Sequence, residues 1–143
     1  MQHRDLYPDQ YRPQIEALLS EIGLESCEVL VVESVKDWAQ AVGIPEDDPF
    51  RAAMVTIRSA GSAPTVVLRR HITTDIQTSV LNGMEVRGFL EEVDRLDQPE
   101  LFLEHLVLHE AAHLLLRTQS EADCDDWAFQ HLAGRFRAPD GAA

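Results

Sequence analysis

The segment around which the rest of the chain is interpreted reads Val107-Leu108-His109-Glu110-Ala111-Ala112-His113-Leu114-Leu115-Leu116. Its apolar and helix-forming residues predict an α-helix. Residues four apart on an α-helix project from one face, about 40° from each other around the axis. The imidazoles of His109 and His113 can therefore converge on one cation.

Glu110 follows the first of these histidines and would project beside a cation that they hold. The order His-Glu-x-x-His is typical of two zinc ligands with a general base between them. The plainer interpretation is a helix whose polar residues have no common role. Leucines flank both His109 and His113, and unpaired imidazoles are costly to bury among leucines, so we favour metal binding.

An acidic segment follows the second histidine, in which four of the six residues from Glu121 to Asp126 are Asp or Glu. Zinc in a catalytic site requires a third protein ligand and an open position for water. Glu121 and Asp125 form another i, i+4 pair, so Glu121 can bind the metal while Asp125 accepts the N–H of a ligating histidine. The plainer alternatives are a capping acid for Glu121 and a solvated acid for Asp125. Asp123 is the alternative third ligand.

The segment between the two motifs, residues 117–120, can reverse the direction of the chain. Thr118 followed by Glu121, and Ser120 followed by Asp123, each have the spacing of a helix-start signature. We therefore predict two helices that are joined by a tight turn and that meet at the metal.

The combined pattern resembles that of the gluzincin metallopeptidases, in which Glu-x-x-x-Asp on a second helix follows His-Glu-x-x-His. The second motif is most similar to that of the small ImmA/IrrE-like domains, and next to that of the HtpX-like ones. It reads Glu121-x-x-Cys124-Asp125-Asp126-Trp127-Ala128, with Cys in place of a small alanine and Trp in place of phenylalanine. The resemblance covers about residues 105–132.

This resemblance implies a role for each residue of the two motifs. His109, His113 and Glu121 would bind one zinc ion, Glu110 would be the general base, and Asp125 would support a ligating histidine. It also implies a zincin-like fold in which one edge of a sheet runs along the cleft.

Composition narrows the class of protein. The 143 residues carry a formal net charge of −13, which argues against nucleic-acid binding because phosphate contacts need a basic surface. We expect a single domain over residues 1–143. Neither an apolar signal region nor a membrane-spanning stretch is recognised, so we expect a cytoplasmic protein without a membrane partner. The oligomeric state cannot be inferred.

The remaining sequence predicts an α+β fold, a zincin-like minimal metalloprotease domain with a small antiparallel sheet packed against helices. Hydrophobic periodicity, β-branched runs, glycines and prolines delimit its elements. Helices are predicted over residues 9–22, 35–42, 84–96, 99–116 and 120–132. The third is interrupted by Gly88, and the fourth starts at the cap, proline and acid of Asp97–Glu100. Strands are predicted over 27–33, 53–58 and 65–70, with a turn over 59–64 and a frayed tail over 134–143. Thr73–Gly83 shows no clear period.

An extended peptide or protein substrate is the expected partner, bound as an added strand. Thr65–Arg70 is the candidate edge strand, because its two arginines would deter unwanted pairing. His105 lies on the same stripe as His109, and we interpret it as a partly exposed cleft residue. His71 and His131 are interpreted as surface or packing residues, although either could stabilise an oxyanion.

The sequence thus predicts a zinc-dependent peptidase in which Glu110 accepts a proton from water. The alternative is a non-proteolytic zinc-binding module of the same fold with a regulatory or interaction role. A partner of a toxin or antitoxin system is a third class. A zinc measurement separates the first two from any protein that binds no metal.

Overall fold

The computed structural model describes residues 4–57 and 61–137, and within them the chain is α+β. A three-stranded mixed sheet packs against five α-helices. The elements are α1 Arg12–Glu21, β1 Glu28–Val32, α2 Val35–Ala41, β2 Ala53–Thr56, β3 Thr65–Arg69, α3 Thr74–Val86, α4 Pro99–Leu115 and α5 Glu121–His131, with 3-10 turns at Pro8–Tyr11 and Glu92–Arg95.

The sheet is mixed, so the predicted antiparallel sheet is wrong for β1. The strand order is β1-β3-β2, in which β3 runs parallel to β1 and antiparallel to β2. Val67 of β3 lies between Leu30 of β1 and Met54 of β2. Parallel pairing needs a long crossover, and residues 33–64, which contain α2 and β2, provide the connection from β1 to β3. The predicted hairpin of β2 and β3 is confirmed, although residues 58–60 of its strand end and turn lie outside the described residues.

Strand β3 is the centre of the sheet, and the prediction that Thr65–Arg70 forms an edge is therefore wrong. Its first four residues are buried, as expected for a strand covered on both faces. Arg69 donates to the carbonyl oxygens of His71 and Pro49, and Arg70 pairs with Glu33. The two arginines thus pair with neighbouring segments of the chain, and they protect no edge because β3 is central.

Helix α4 is the central element of the fold, and its predicted start at Pro99 is confirmed. Every residue from Phe102 to Ala112 is buried, because the helix packs against α5, α1, β2 and β3. The cap differs from the prediction: Gln98 occupies the N-cap and its side chain makes no cap hydrogen bond. Burial on all sides explains why α4 is apolar around most of its circumference.

The helix predicted over residues 84–96 is wrong. Helix α3 instead covers the segment that showed no clear period, and Thr73 caps it by accepting from the N–H of Ile76. Gly88 has φ +103°, a left-handed conformation that favours glycine and ends the helix. Only a short 3-10 turn follows.

The other helices follow their predictions closely. The predicted first helix divides into the 3-10 turn at Pro8–Tyr11 and α1, and α2 ends one residue before its predicted limit. Trp38 of α2 is half-buried and packs on a small apolar cluster beside the sheet. Within the described part of the chain, no helix has both the length and the apolar composition needed to cross a membrane.

The segment after α5 is packed, so the predicted frayed tail is wrong as far as Arg137. Phe136 is 3% exposed and its ring stacks on that of Tyr11, 6.3 Å away. The buried carboxylate of Glu104 accepts from the backbone N–H of Ala133 at 2.8 Å and from the guanidinium of Arg135 at 3.0 Å. Residues 138–143 of the predicted tail lie outside the described residues.

Candidate metal centre

A tight turn brings α5 back against α4, as the sequence predicts. Arg117 adopts a left-handed φ of +52°. Thr118 Oγ1 accepts from the backbone N–H of Ser120 at 3.1 Å, and Ser120 Oγ accepts from that of Asp123 at 3.2 Å. These two hydrogen bonds start α5 at Glu121 and place its first turns beside the second half of α4.

One group of side chains that could hold a metal ion is fully buried between the two helices. It comprises His105, His109 and Asp125, whose ligand atoms lie within 4.8 Å of one another. Asp125 Oδ1 accepts from His105 Nε2 at 3.1 Å and from His109 Nδ1 at 2.7 Å. His105 has no exposed surface, so its expected partial exposure is wrong, although the residue does line the cleft.

The second such group comprises His109, His113 and Glu121, with ligand atoms again within 4.8 Å of one another. Glu121 Oε2 lies 2.9 Å from His109 Nε2, and Glu121 Oε1 lies 3.2 Å from His113 Nε2. The three residues expected as ligands are therefore brought together. Asp123 is exposed and belongs to neither group that the described residues form.

The remaining ring nitrogen of each histidine is held by an acceptor. His109 Nδ1 donates to Asp125, and His113 Nδ1 donates to the carbonyl oxygen of Thr118 at 2.9 Å. Because these oxygens accept a proton, both neutral imidazoles carry theirs on Nδ1. In the neutral form both Nε2 lone pairs then face Glu121. In the metal-free protein His109 is protonated and its Nε2 also donates to Glu121 Oε2, so a metal ion would displace that proton.

The protonation of the two histidines and of the neighbouring carboxylates depends on the hydrogen bonds between them. Burial lowers the pKa of His109, but hydrogen bonds to Asp125 and Glu121 outweigh burial and raise it to about 9. The same hydrogen bonds from His109, together with those from His113, hold the pKa of Glu121 well below its usual range. Burial opposes the ionisation of Asp125, yet hydrogen bonds from its partners keep that pKa low as well. Both carboxylates are anionic at neutral pH.

Arg87 belongs to the candidate centre, although its sequence did not indicate this. It caps the C-terminus of α3, and its Nε and Nη2 atoms lie 2.7 and 2.6 Å from Asp125 Oδ2. No local pattern marks this contact, because 38 residues separate Arg87 from Asp125. The missed role of His105 did have a signal, since it lies one turn before His109 on the same face.

Glu110 lies where a general base is expected, on the wall of the cleft beside His109. It is 4% exposed, and burial raises the pKa of its carboxyl group, while the positive charge of Arg51 acts in the opposite direction. Among the described residues, no hydrogen-bond donor contacts this carboxylate within bonding distance. It is therefore free to accept a proton from a molecule in the cleft.

The cleft is a cavity of about 630 Å³ that opens beside both candidate groups. Its walls are formed by α3, by the segment Asp48–Ala53, and by α4 and α5. The apolar side chains of Ile76, Val80 and Met84 line the α3 wall, and Arg51 and Arg87 bring positive charge into it.

Neither of the two histidines considered as oxyanion donors belongs to this lining. His71 stacks on Tyr7 and pairs with Asp5 at 2.8 Å, and His131 stacks on Trp127. Both are packing or surface residues, in agreement with their interpretation from sequence.

The chain was compared with models of protein families, with curated proteins and with solved structures, and no match was found. Because no match indicates a role for these residues, the candidate ligand atoms are interpreted from their chemistry alone. Two imidazole nitrogens and one carboxylate oxygen, with a second acid behind one histidine, are ligands that transition-metal ions accept.

Proposed function

We propose that the chain is a zinc-dependent peptidase whose metal is held by His109, His113 and Glu121. One observation carries the proposal: the two oxygens of the Glu121 carboxylate face the Nε2 atoms of both histidines, at 2.9 and 3.2 Å. A zinc ion accepts ligands of these types. Metal binding would release the proton that His109 Nε2 shares with Glu121 and would keep the Nδ1 contacts of both histidines unchanged.

The fully buried group is the poorer metal site of the two. Asp125 already contacts the guanidinium of Arg87, a cation that would repel a metal ion bound at the same carboxylate. His105 and Asp125 are wholly buried, which leaves no open position for a substrate. His109 would also have to bind through Nδ1, and Nε2 would then point away from the metal. We therefore interpret this group as the support of the metal site.

Zinc held by such a set acidifies water and polarises a carbonyl group. The chain's own residues supply the remaining chemistry. Glu110 accepts the proton of the attacking water and passes it to the leaving amine nitrogen. Its burial favours this role, since a carboxyl group with a raised pKa is a better base and a more effective proton donor than an exposed one.

The cleft suits a peptide in extended conformation. Strand β2 is at one end of the strand order β1-β3-β2 and packs against α4, and Ala52 and Ala53 line the cleft. Among the described residues the outer edge of β2 is unpaired, and a substrate that adds to it would lie along this cleft, with its side chains read by pockets. The edge strand of the proposal is thus β2, in place of Thr65–Arg70.

The experiment that tests the proposal compares wild type with Glu110→Gln, each loaded with zinc and mixed with a peptide library that is read by mass spectrometry. We expect wild type to cleave and Glu110→Gln to retain one zinc per chain but lose about 10²- to 10⁴-fold in rate. Glu16→Gln, a change of the same kind at an exposed position of α1, is the matched control and should cleave normally.

Two outcomes contradict this proposal in different ways. Equal cleavage by wild type and Glu110→Gln would remove Glu110 as the base. Zinc binding by wild type without cleavage of any peptide would favour the alternative function, a zinc-binding regulatory or interaction module of the same fold.

A further inference from the structure

The Asp125 carboxylate has four polar contacts, and Arg87 supplies two of them. Its Oδ1 atom accepts from His105 and His109, and its Oδ2 atom accepts from Nε and Nη2 of Arg87. The Asp125 side chain has no exposed surface, whereas that of Arg87 is 29% exposed. A carboxylate with this arrangement cannot rotate without losing at least one charged hydrogen bond.

The wall of the cleft is shaped to admit the Arg87 side chain. Gly83 lies one turn before Arg87 in α3, and a Cβ atom at Gly83 would be 3.3 Å from Arg87 Nη1. Glycine is unfavourable inside a helix compared with alanine. Its presence here leaves room for the guanidinium to pass beside the helix and reach Asp125.

His105 holds the same carboxylate from the α4 side. Its ring packs on Phe129, with ring centroids 4.2 Å apart, and its Nε2 atom donates to Asp125 Oδ1 at 3.1 Å. Within the described residues its Nδ1 atom is buried and has no partner. Leaving a buried nitrogen unpaired is unfavourable. The hydrogen bond from Nε2 to Asp125 is therefore the polar contact that favours a histidine at this position.

We propose that Arg87 and His105 are positioning residues that fix Asp125, so that Asp125 holds His109 with its proton on Nδ1 and its Nε2 atom toward Glu121. Arg87 acts on the second oxygen of the carboxylate and His105 on the first. Without Arg87, the buried Oδ2 atom loses both donors, and the carboxylate gains the freedom to turn away from His109. The effect on zinc affinity rests on the proposed function, whereas the effect on His109 does not.

The test uses the whole protein with Arg87→Gln, which removes the charge and the paired donors, and Arg87→Lys, which keeps the charge with a single point donor. Arg70→Gln is the matched control, because Arg70 is a half-exposed arginine that pairs with Glu33 at the sheet. The first readout, on metal-free protein, is the exchange-protected imidazole proton of His109 Nδ1 in ¹⁵N-edited NMR spectra. The second is the zinc dissociation constant from competition with a chelator.

We expect Arg87→Gln to lose the protected His109 proton and to bind zinc about 10- to 100-fold more weakly. Arg87→Lys should recover part of both, and Arg70→Gln should match wild type. A merely structural role would lower the melting temperature without moving the His109 proton. Spectra recorded well below each variant's melting temperature separate the two roles.

Two combinations of results separate the positioning role of Arg87 from the proposed zinc site. If Arg87→Gln keeps the protected proton and the wild-type zinc affinity, the positioning role is wrong and the zinc site stands. If the proton is lost in Arg87→Gln but wild type binds no zinc, the positioning role stands and the proposed function fails.

Discussion

Oε2 of Glu121 lies 2.9 Å from Nε2 of His109, across the turn that joins α4 to α5. The other nitrogen of the same imidazole contacts Asp125, one turn further along α5. Two acids one turn apart on α5 therefore hold the two sides of one α4 histidine. In the proposed function each acid has a distinct role, ligand for Glu121 and support for Asp125.

Replacement of Glu121 should impair zinc binding more than replacement of Asp123. Glu121→Ala removes a carboxylate that faces both histidines, whereas Asp123 is exposed and only its backbone N–H contacts Ser120. We expect Glu121→Ala to weaken zinc binding by at least about 100-fold, since a ligand matters more than the 10- to 100-fold typical of supporting residues. Isothermal titration calorimetry with zinc measures the zinc affinity of both variants. Loss of zinc in Asp123→Ala with retention in Glu121→Ala would reverse the ligand assignment.

Replacement of His105 distinguishes the two candidate groups. His105→Phe fills a similar volume and leaves Asp125 in contact with His109 and Arg87. If His105 only supports Asp125, this variant should still bind one zinc ion per chain, with affinity lowered by about tenfold. Elemental analysis of the purified variant gives the stoichiometry. A variant that is folded but free of zinc would instead make the fully buried group the metal site.

The start of α4 should contribute a pH-dependent part of the stability. Burial acts to raise the pKa of Glu100, but hydrogen bonds from Arg4 and Tyr11 outweigh it and lower that pKa below the usual range of a glutamate. A lowered carboxyl pKa stabilises the fold above the unfolded-state pKa, and this contribution is lost as the pH falls through the folded-state pKa. Glu100→Gln should therefore reduce the free energy of unfolding at pH 7 by roughly 1 to 2 kcal/mol.

The difference between Glu100→Gln and wild type should shrink below about pH 4.5. Urea unfolding at pH 7 and at pH 4 measures it, with Glu16→Gln as the control for a charge change on the surface. A difference that stayed constant across this range would show that the ionised carboxylate of Glu100 does not stabilise α4.

The elements around the two motifs were predictable because their signals are local. The histidine pair needs only helical spacing, and the start of α5 needs only the hydroxyl of Ser120 and the N–H of Asp123. Both signals lie within one turn of chain, where geometry follows directly from sequence.

The features that escaped prediction depend on contacts between distant residues. β1 pairs in parallel with β3, with Leu30 beside Val67. The sequence of neither strand indicates this direction of pairing. Arg87 reaches Asp125 from 38 residues away, and its neighbours mark it only as a residue near the end of a helix. The burial of His105 follows from the packing of α5 on α4, which its own sequence neighbourhood does not show.

The central claim is the position of the metal, and anomalous diffraction from crystals of the zinc-loaded protein tests it most directly. Data on the two sides of the zinc absorption edge locate the ion without reference to activity. The account predicts one zinc peak per chain, bounded by Nε2 of His109, Nε2 of His113 and the Glu121 carboxylate. A peak at His105 and Asp125, or no peak in crystals grown with zinc, would contradict it.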